Sequence, residues 1–195
     1  MIKRLLIALI TLSSASAFAA AAPAPAKIEV DPAASKLVYL AKKVTGEHTG
    51  EVKLANGFLN FDKAGLKGGE FEIDMTSITN TDITDKEYHT KFINHIISDD
   101  FFGTEKFKTA KVVIKSVKKE KAADTYKVTA DLTIKGKTAP VSFVALATKE
   151  KATAKVIFDR TKYDIKYGSG KFFQGLGDKM IMDDVQLDVT LTAKK

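Results

Sequence analysis

The fold is decided by a stretch near the C-terminus, which reads Asp184-Val185-Gln186-Leu187-Asp188-Val189-Thr190-Leu191-Thr192. Polar and apolar residues alternate in it without a break, and the same alternation returns in residues 70–76 and 126–134. A side-chain period of two is typical of strands with one dry face and one solvated face, as in antiparallel sheets. We therefore predict an all-β, antiparallel protein.

The same criteria, applied outward from these stretches, predict eight strands. They lie near residues 36–44, 51–61, 69–76, 109–119, 124–135, 138–149, 152–165 and 182–193. An eight-stranded antiparallel sheet of this size usually closes, because closure removes the edge strands. We predict a closed eight-stranded barrel; on pattern alone, a β-sandwich is the alternative.

One segment, residues 84–97, departs from the period of two. It places Tyr88, Phe92 and Ile96 at helical spacing, and Thr84 with Glu87 fits a capping box at its start. We predict one amphipathic helix here, between the third and fourth strands.

The N-terminus has the pattern of a cleaved export signal. Lys3 and Arg4 precede a short apolar run over residues 5–12, and small residues follow at Ala17 and Ala19. We predict a signal peptide over 1–19, a flexible tether over 20–27 and one barrel domain over 28–195, with a periplasmic location. The sequence has no cysteine, which excludes thiol catalysis and lipid attachment at the cut site.

Neither the composition nor the motifs indicate nucleic-acid binding, a metal site or catalysis. The formal net charge is +7, but the lysines are spread along strand faces between acidic residues, so nucleic acid is not an expected partner. Asp85 and His89 have the spacing of a helical metal pair, but no third ligand is evident, and no metal or cofactor is predicted. No catalytic motif is present, and we predict that the protein is not an enzyme. A hydrolase built on two of the dispersed carboxylates stays a weaker alternative.

Seven motifs in order carry a family resemblance. They are 31–35 (DPAAS), 43–50 (KVTGEHTG), 57–62 (GFLNFD), 73–78 (IDMTSI), 95–102 (HIISDDFF), 131–136 (DLTIKG) and 159–163 (DRTKY). With these motifs the chain resembles the YceI-like family, the lipocalin-like, polyisoprenoid-binding-type exported proteins. The resemblance implies a lipocalin-like barrel under a helix, with a long apolar tunnel that accepts an isoprenoid or similar chain. It implies no catalytic residue.

The inward faces of the strands supply the candidate lining of such a tunnel. These ligand-binding candidates are Phe71, Ile73, Met75, Val112, Ile114, Val128, Leu132, Phe143, Val156, Phe158, Val185 and Leu187. Bulky residues of the helix and the loops are the candidate guards of one end: Phe92, Ile96, Phe101, Phe102, Phe172 and Phe173. Lys43 and Arg160 are candidate partners for a polar head, although Arg160 serves equally well as an ion-pair partner of a nearby aspartate.

The resulting prediction is a periplasmic binding or carrier protein that holds an isoprenoid- or quinone-like lipid in the barrel interior. Its other expected properties are a monomeric or homodimeric state and transient contact with a membrane surface. The alternative is a non-transporting, stress-associated structural barrel with a filled core.

Overall fold

The computed structural model describes residues 24–195. The predicted signal peptide and the first part of the predicted tether, residues 20–23, lie outside the described residues. The strands are β1 (Ala26–Glu29), β2 (Lys36–Lys43), β3 (Gly46–Asp62), β4 (Gly65–Asp74), β5 (Thr109–Lys119), β6 (Thr125–Ile134), β7 (Lys137–Ala147), β8 (Lys151–Asp159) and β9 (Ile181–Thr192). The helix is α1 (Lys86–Ile97), and single 3-10 turns follow β4 and β8 and precede β9.

Strands β2 to β9 form a closed antiparallel barrel. Neighbouring strands in the chain pair with each other from β2 to β9, and β9 returns to pair with β2. The ring has no free lateral end, as closure requires. The predicted eight-stranded barrel is confirmed, and the sandwich alternative does not occur.

The short strand β1 corrects the predicted position of the helix. β1 pairs with the outer end of β3, where Ala26 lies opposite Phe61, and its first two residues fall in the predicted tether. Four residues between alanines and prolines are too few to show an alternating pattern, so this strand was not predicted. Because β1 precedes all the predicted strands, α1 lies between β4 and β5 rather than between the third and fourth strands.

The segment between β4 and the helix approaches the backbone of β3 closely. A side chain at Gly50 would overlap the carbonyl oxygen of Thr79, and Thr79 N–H donates to Glu51 O at 2.9 Å. Only glycine allows one segment to cross the strand so closely. The crossing segment continues directly into α1.

The helix begins two residues later than predicted. Asp85 is its N-cap, and its carboxylate accepts the Tyr88 N–H at 2.8 Å. The predicted capping box on Thr84 is therefore wrong, because Asp85 is the residue that satisfies the free N–H groups of the first turn. No residue of α1 is fully buried, and no helix in the described part of the chain has the length and apolarity to cross a membrane.

The connections divide the barrel into two ends. The turn end carries the short links 63–64, 120–124 and 148–150. The helix end carries the links 44–45, 75–108, 135–136 and 160–180, and therefore α1 and the longest loop. A tight hairpin joins β6 and β7 at this end, and both of its turn residues, Lys135 and Gly136, have positive φ.

Strand β8 is shorter than predicted. It ends at Asp159, and a 3-10 turn over Arg160–Tyr163 follows it. Asp164 then adopts a left-handed conformation at φ 62°. β7 and β8 pair only near the turn end, from Ala145 with Ala154 to Ala147 with Ala152.

Candidate functional site: an apolar cavity inside the barrel

The barrel encloses a cavity of about 200 Å³. Several inward side chains, among them Val112, Phe143 and Leu187, are only partly buried because they border this space. Close-packed protein cores leave few voids larger than one water molecule. The interior of this barrel is therefore a cavity rather than the filled core of the alternative prediction.

The cavity is elongated along the barrel. Met182 and Leu191 both border it and lie nine residues apart on β9, a separation of roughly 30 Å along a strand. Met182 is also 40 % exposed. The cavity thus reaches from the turn end to a mouth at the helix end, where Met182 stands on its rim.

Polar side chains contribute little to the wall. They are Tyr39, Thr153 and Arg160. The Tyr39 hydroxyl donates to Thr79 O at 2.7 Å, and burial raises the pKa of Tyr39 to about 12, so the phenol stays neutral. A wall of this kind selects apolar ligands, because a buried polar group of a ligand would find few partners.

Arg160 is a structural anchor at the helix end. Its guanidinium is 3 % exposed and donates to the carbonyl oxygens of Ile165 at 2.8 Å, Ile181 at 3.1 Å and Met182 at 3.1 Å. Asp183 lies 3.4 Å away, and burial lowers the pKa of Arg160 against the opposing effect of this carboxylate. The ion-pair alternative describes Arg160 best, because its donors point at the protein. Lys43 does not border the cavity.

Two of the dispersed carboxylates do meet, beside Arg160. Lys171 Nζ lies 2.8 Å from Asp159 and 3.2 Å from Asp183. Partial burial of Asp159 is outweighed by the Lys171 ammonium and by the hydroxyl and N–H of Thr161, which lower the pKa of Asp159 to about 2. Asp159 is therefore ionised at neutral pH and cannot serve as the general acid of a hydrolase, which needs a raised pKa.

Most of the predicted lining residues border the cavity. They are Phe71, Ile73, Met75, Phe92, Ile96, Phe101, Phe102, Val112, Ile114, Val128, Leu132, Phe143, Val156, Phe158, Val185 and Leu187. The period of two placed the strand residues correctly because successive side chains of a strand point to opposite faces of the sheet.

Phe172 and Phe173, predicted as guards of one end, are not part of the cavity wall. Their side chains are 49 % and 50 % exposed and do not border the cavity. Ser169 is completely buried, and its carbonyl oxygen accepts the N–H groups of both phenylalanines at 3.1 and 3.0 Å. This tight turn anchors the base of the loop and directs both rings to solvent.

Sequence reasoning missed part of the wall that follows the same period. On β2, Leu37, Tyr39 and Ala41 border the cavity, and Ala145 and Ala154 do so on β7 and β8. Residues 37–41 of β2 are all apolar, so no alternation in the sequence marks the three that face inward. The alanines were passed over because a small side chain gives a weak hydrophobic signal, although small residues are what leave the space open.

Helix α1 covers the helix end through side-chain contacts. Phe92 and Ile96 border the cavity, and the ring of His48 lies 4.6 Å from the ring of Phe92. His48 Nδ1 is 2.8 Å from Asp82, and His95 packs edge-on against Tyr167 at 4.6 Å. These contacts hold the helix over the cavity without burying any of its residues fully.

Asp85 and His89, which have the spacing of a helical metal pair, both make contacts that support the helix. Asp85 caps α1, and His89 Nε2 lies 3.3 Å from Asn80 O. Residues 24–195 bring together no group of three histidine, aspartate or glutamate side chains that could hold a metal ion.

The fold and the cavity together define the class of protein. A closed eight-stranded antiparallel barrel with an elongated apolar interior is a ligand-enclosing barrel of the lipocalin-like kind. Within this class the chain belongs to the YceI-like family, because the model of the YceI-like domain matches residues 29–193. The resemblance inferred from the seven motifs is confirmed.

Relatives and solved structures agree with this membership. A UPF0312 protein of Shewanella denitrificans is 36% identical over 90 residues, which cover 46% of this chain and 44% of that protein. The aligned segment thus spans less than half of the curated relative.

Two solved structures share the fold at low identity. Burkholderia cenocepacia BcnA superposes with a TM-score of 0.64 at 24% identity, covering 85% of this chain and 99% of that one. A polyisoprenoid binding domain from Saccharophagus degradans superposes with a TM-score of 0.57 at 17% identity, covering 87% and 98%. At these identities the likeness shows the shared barrel.

Proposed function

We propose that this protein is a periplasmic binding or carrier protein that holds an isoprenoid- or quinone-like lipid in the barrel cavity. The observation that carries the proposal is the elongated apolar cavity with its mouth at the helix end. A similar ligand is named for the Saccharophagus degradans domain that shares the fold. The export signal predicted from residues 1–19 supports the periplasmic location.

Binding then follows from apolar burial alone. Each ligand methylene moved from water into the cavity contributes about 0.8 kcal/mol. A prenyl or alkyl chain therefore binds tightly without polar contacts. Such binding requires no catalytic side chain, as we expect of a binding protein rather than an enzyme.

The first test is recovery of the native ligand. Protein purified from its own host is examined by native mass spectrometry, and a solvent extract of it is analysed for lipids. We expect a long apolar chain to be recovered in repeated preparations. Repeated extracts without lipid, together with no uptake of added prenyl chains, would favour the structural-barrel alternative and overturn the carrier.

The second test closes the cavity from within. Ala154 borders the cavity from β8 and is only partly buried, so Ala154→Phe fills space that a ligand needs. We expect uptake of a fluorescent prenyl chain to fall at least about tenfold, because one lost aromatic-sized volume removes several methylene contacts. Val144→Phe is the matched control, since Val144 lies on the outer face of β7 and is 56 % exposed. Equal uptake by the two variants would place the ligand elsewhere.

A further inference from the structure

The helix end carries an apolar rim around the mouth of the cavity. The rim consists of Val44, Tyr167, Phe172, Phe173 and Met182, each between 40% and 50% exposed. Exposed apolar groups gathered at one place mark an interaction surface, whereas single ones need no explanation.

Backbone contacts bring together the chain segments that carry the rim residues. Val44 N–H donates to Met180 O at 3.1 Å, which places the β2–β3 link beside the start of β9. Ile181 N–H donates to Gly168 O at 2.8 Å, which places the base of the aromatic loop on the same strand. A side chain at Gly170 would lie 2.8 Å from Met180 Sδ, so the loop rests closely on β9.

The rim is continuous with the cavity. Met182 belongs to both, because it borders the interior and is exposed. Tyr167 packs on His95 of the helix that covers the cavity. Any surface bound by the rim would therefore face the mouth directly.

Lysines surround the aromatic loop. The exposed residues of 160–180 include Lys162, Lys166, Lys171 and Lys179, against the two exposed acids Asp164 and Asp178. Lys166 Nζ lies 5.2 Å above the ring of Phe172. Lys162 and Lys179 make no ion pair with any of residues 24–195, so their charges are available to a partner.

We propose that the apolar rim docks on an anionic phospholipid bilayer, with Phe172 and Phe173 inserted among the lipids and the lysines against the headgroups. Aromatic side chains are suited to the membrane interface, and lysines beside them add attraction to anionic lipid. The proposal rests on the proposed function in one respect: the bilayer would be the source or destination of the apolar ligand. Docking and ligand uptake are nevertheless separate measurements.

The absence of tryptophan from the chain provides a clean reporter. In Phe173→Trp the only indole stands on the rim, and in the control Ile157→Trp it stands on the barrel wall at a site of similar exposure, 53 %. With vesicles of phosphatidylglycerol and phosphatidylethanolamine, we expect the rim indole to shift its emission to the blue and to be quenched by lipids brominated in their acyl chains. The wall indole should show neither change. The same response from both indoles, or none from the rim, would overturn the proposal.

Substitutions then separate the apolar and electrostatic parts. Phe172→Ser with Phe173→Ser should lower the vesicle partition coefficient at least about tenfold, because two phenyl groups stay in water. Lys162→Glu with Lys179→Glu should lower it at least about fivefold per lysine on anionic vesicles, and leave binding to phosphatidylcholine vesicles unchanged. Equal losses on both lipids would contradict the role of the lysines.

Two further measurements distinguish this proposal from its competitors. Prenyl uptake in solution should be unchanged in the double serine variant, because neither phenylalanine borders the cavity. If uptake persists and no variant or parent protein binds vesicles, docking is overturned and the carrier stands; if vesicle binding persists without uptake, the carrier is overturned. A lipid-free dimer that dissociates in the double serine variant would instead assign the rim to a second copy of this chain.

Discussion

The two ends of the barrel are closed in different ways. At the turn end, short hairpins bring together deeply buried small and aliphatic residues, such as Ala147 at 2 % exposure and Leu191 at 7 %. At the helix end, α1 has no fully buried residue and is held by contacts such as His48 with Asp82 and Phe92. A segment with little buried surface opens at a lower free energy than a packed core. We therefore expect the helix end to open more readily, and a ligand of the proposed carrier would be exchanged there.

The largest effect is expected from the polar anchor of the helix end. Arg160→Ala leaves Asp183 and three backbone carbonyls without their cation, and removing one partner of a buried pair costs about 3–5 kcal/mol. We expect the free energy of unfolding in urea to fall by this amount. The neighbouring exposed Lys162→Ala should change it by less than about 0.5 kcal/mol. Similar small losses from both variants would mean that the loop is held by other contacts.

Apolar truncations compare the two ends directly. Leu59 at the turn end is 6 % exposed, whereas Ile96 of α1 is only partly buried. Leu59→Ala should lower the free energy of unfolding by about 2–5 kcal/mol, and Ile96→Ala by roughly 1 kcal/mol. Ile96→Ala should also speed the release of a bound prenyl chain. Equal stability losses with unchanged release rates would show that both ends are closed equally well.

The helix itself depends on one cap. Asp85→Ala removes the acceptor of the Tyr88 N–H and should cost about 1 kcal/mol. Hydrogen exchange in α1 should become faster, while exchange in β6 at the centre of the sheet should change less. Thr84→Ala is the matched control, and we expect it to have little effect because the structure places the cap one residue later. A larger effect at Thr84 would restore the capping box inferred from the sequence.

The last comparison concerns acid. The pKa of Asp159 in the folded protein is about 2, below the value of about 3.9 for an unfolded chain. This carboxylate therefore adds stability above about pH 4 and loses that contribution as the pH falls toward about 2. Asp159→Asn should therefore lose less stability than the parent protein over this pH interval. The measurement is the midpoint of thermal unfolding at a series of pH values.

The turn end supplies the control for the acid experiment. At Asp62, desolvation is outweighed by the N–H groups of Ala64 and Gly65 and by the Lys67 ammonium, so that its pKa is also lowered. Its side chain is more exposed than that of Asp159, 32% against 19%. Asp62→Asn should therefore reduce the acid-induced loss of stability by a smaller amount than Asp159→Asn does. An equal or larger change from Asp62→Asn would mean that the two ends do not differ in their sensitivity to acid.

Local patterns in the sequence are enough to predict the barrel and most of its wall. The period of two along β6 and β9 sets which side chains face inward, and this rule holds for every residue of a regular strand. The helix was located from the spacing of Tyr88, Phe92 and Ile96, because helical periodicity is equally local. The family also followed from local motifs taken in order.

Other features depend on contacts that form only when the chain folds, and no local pattern reveals them. The open interior depends on small residues such as Ala145 of β7 and Ala154 of β8, which lie opposite each other on paired strands and both border the cavity. The outward direction of Phe172 and Phe173 depends on the buried turn at Ser169. The role of Arg160 depends on carbonyls of β9 about twenty residues away. Alternation along a strand shows which of its faces is dry. The shape of the enclosed space depends instead on side chains from different segments, which come together only when the chain folds.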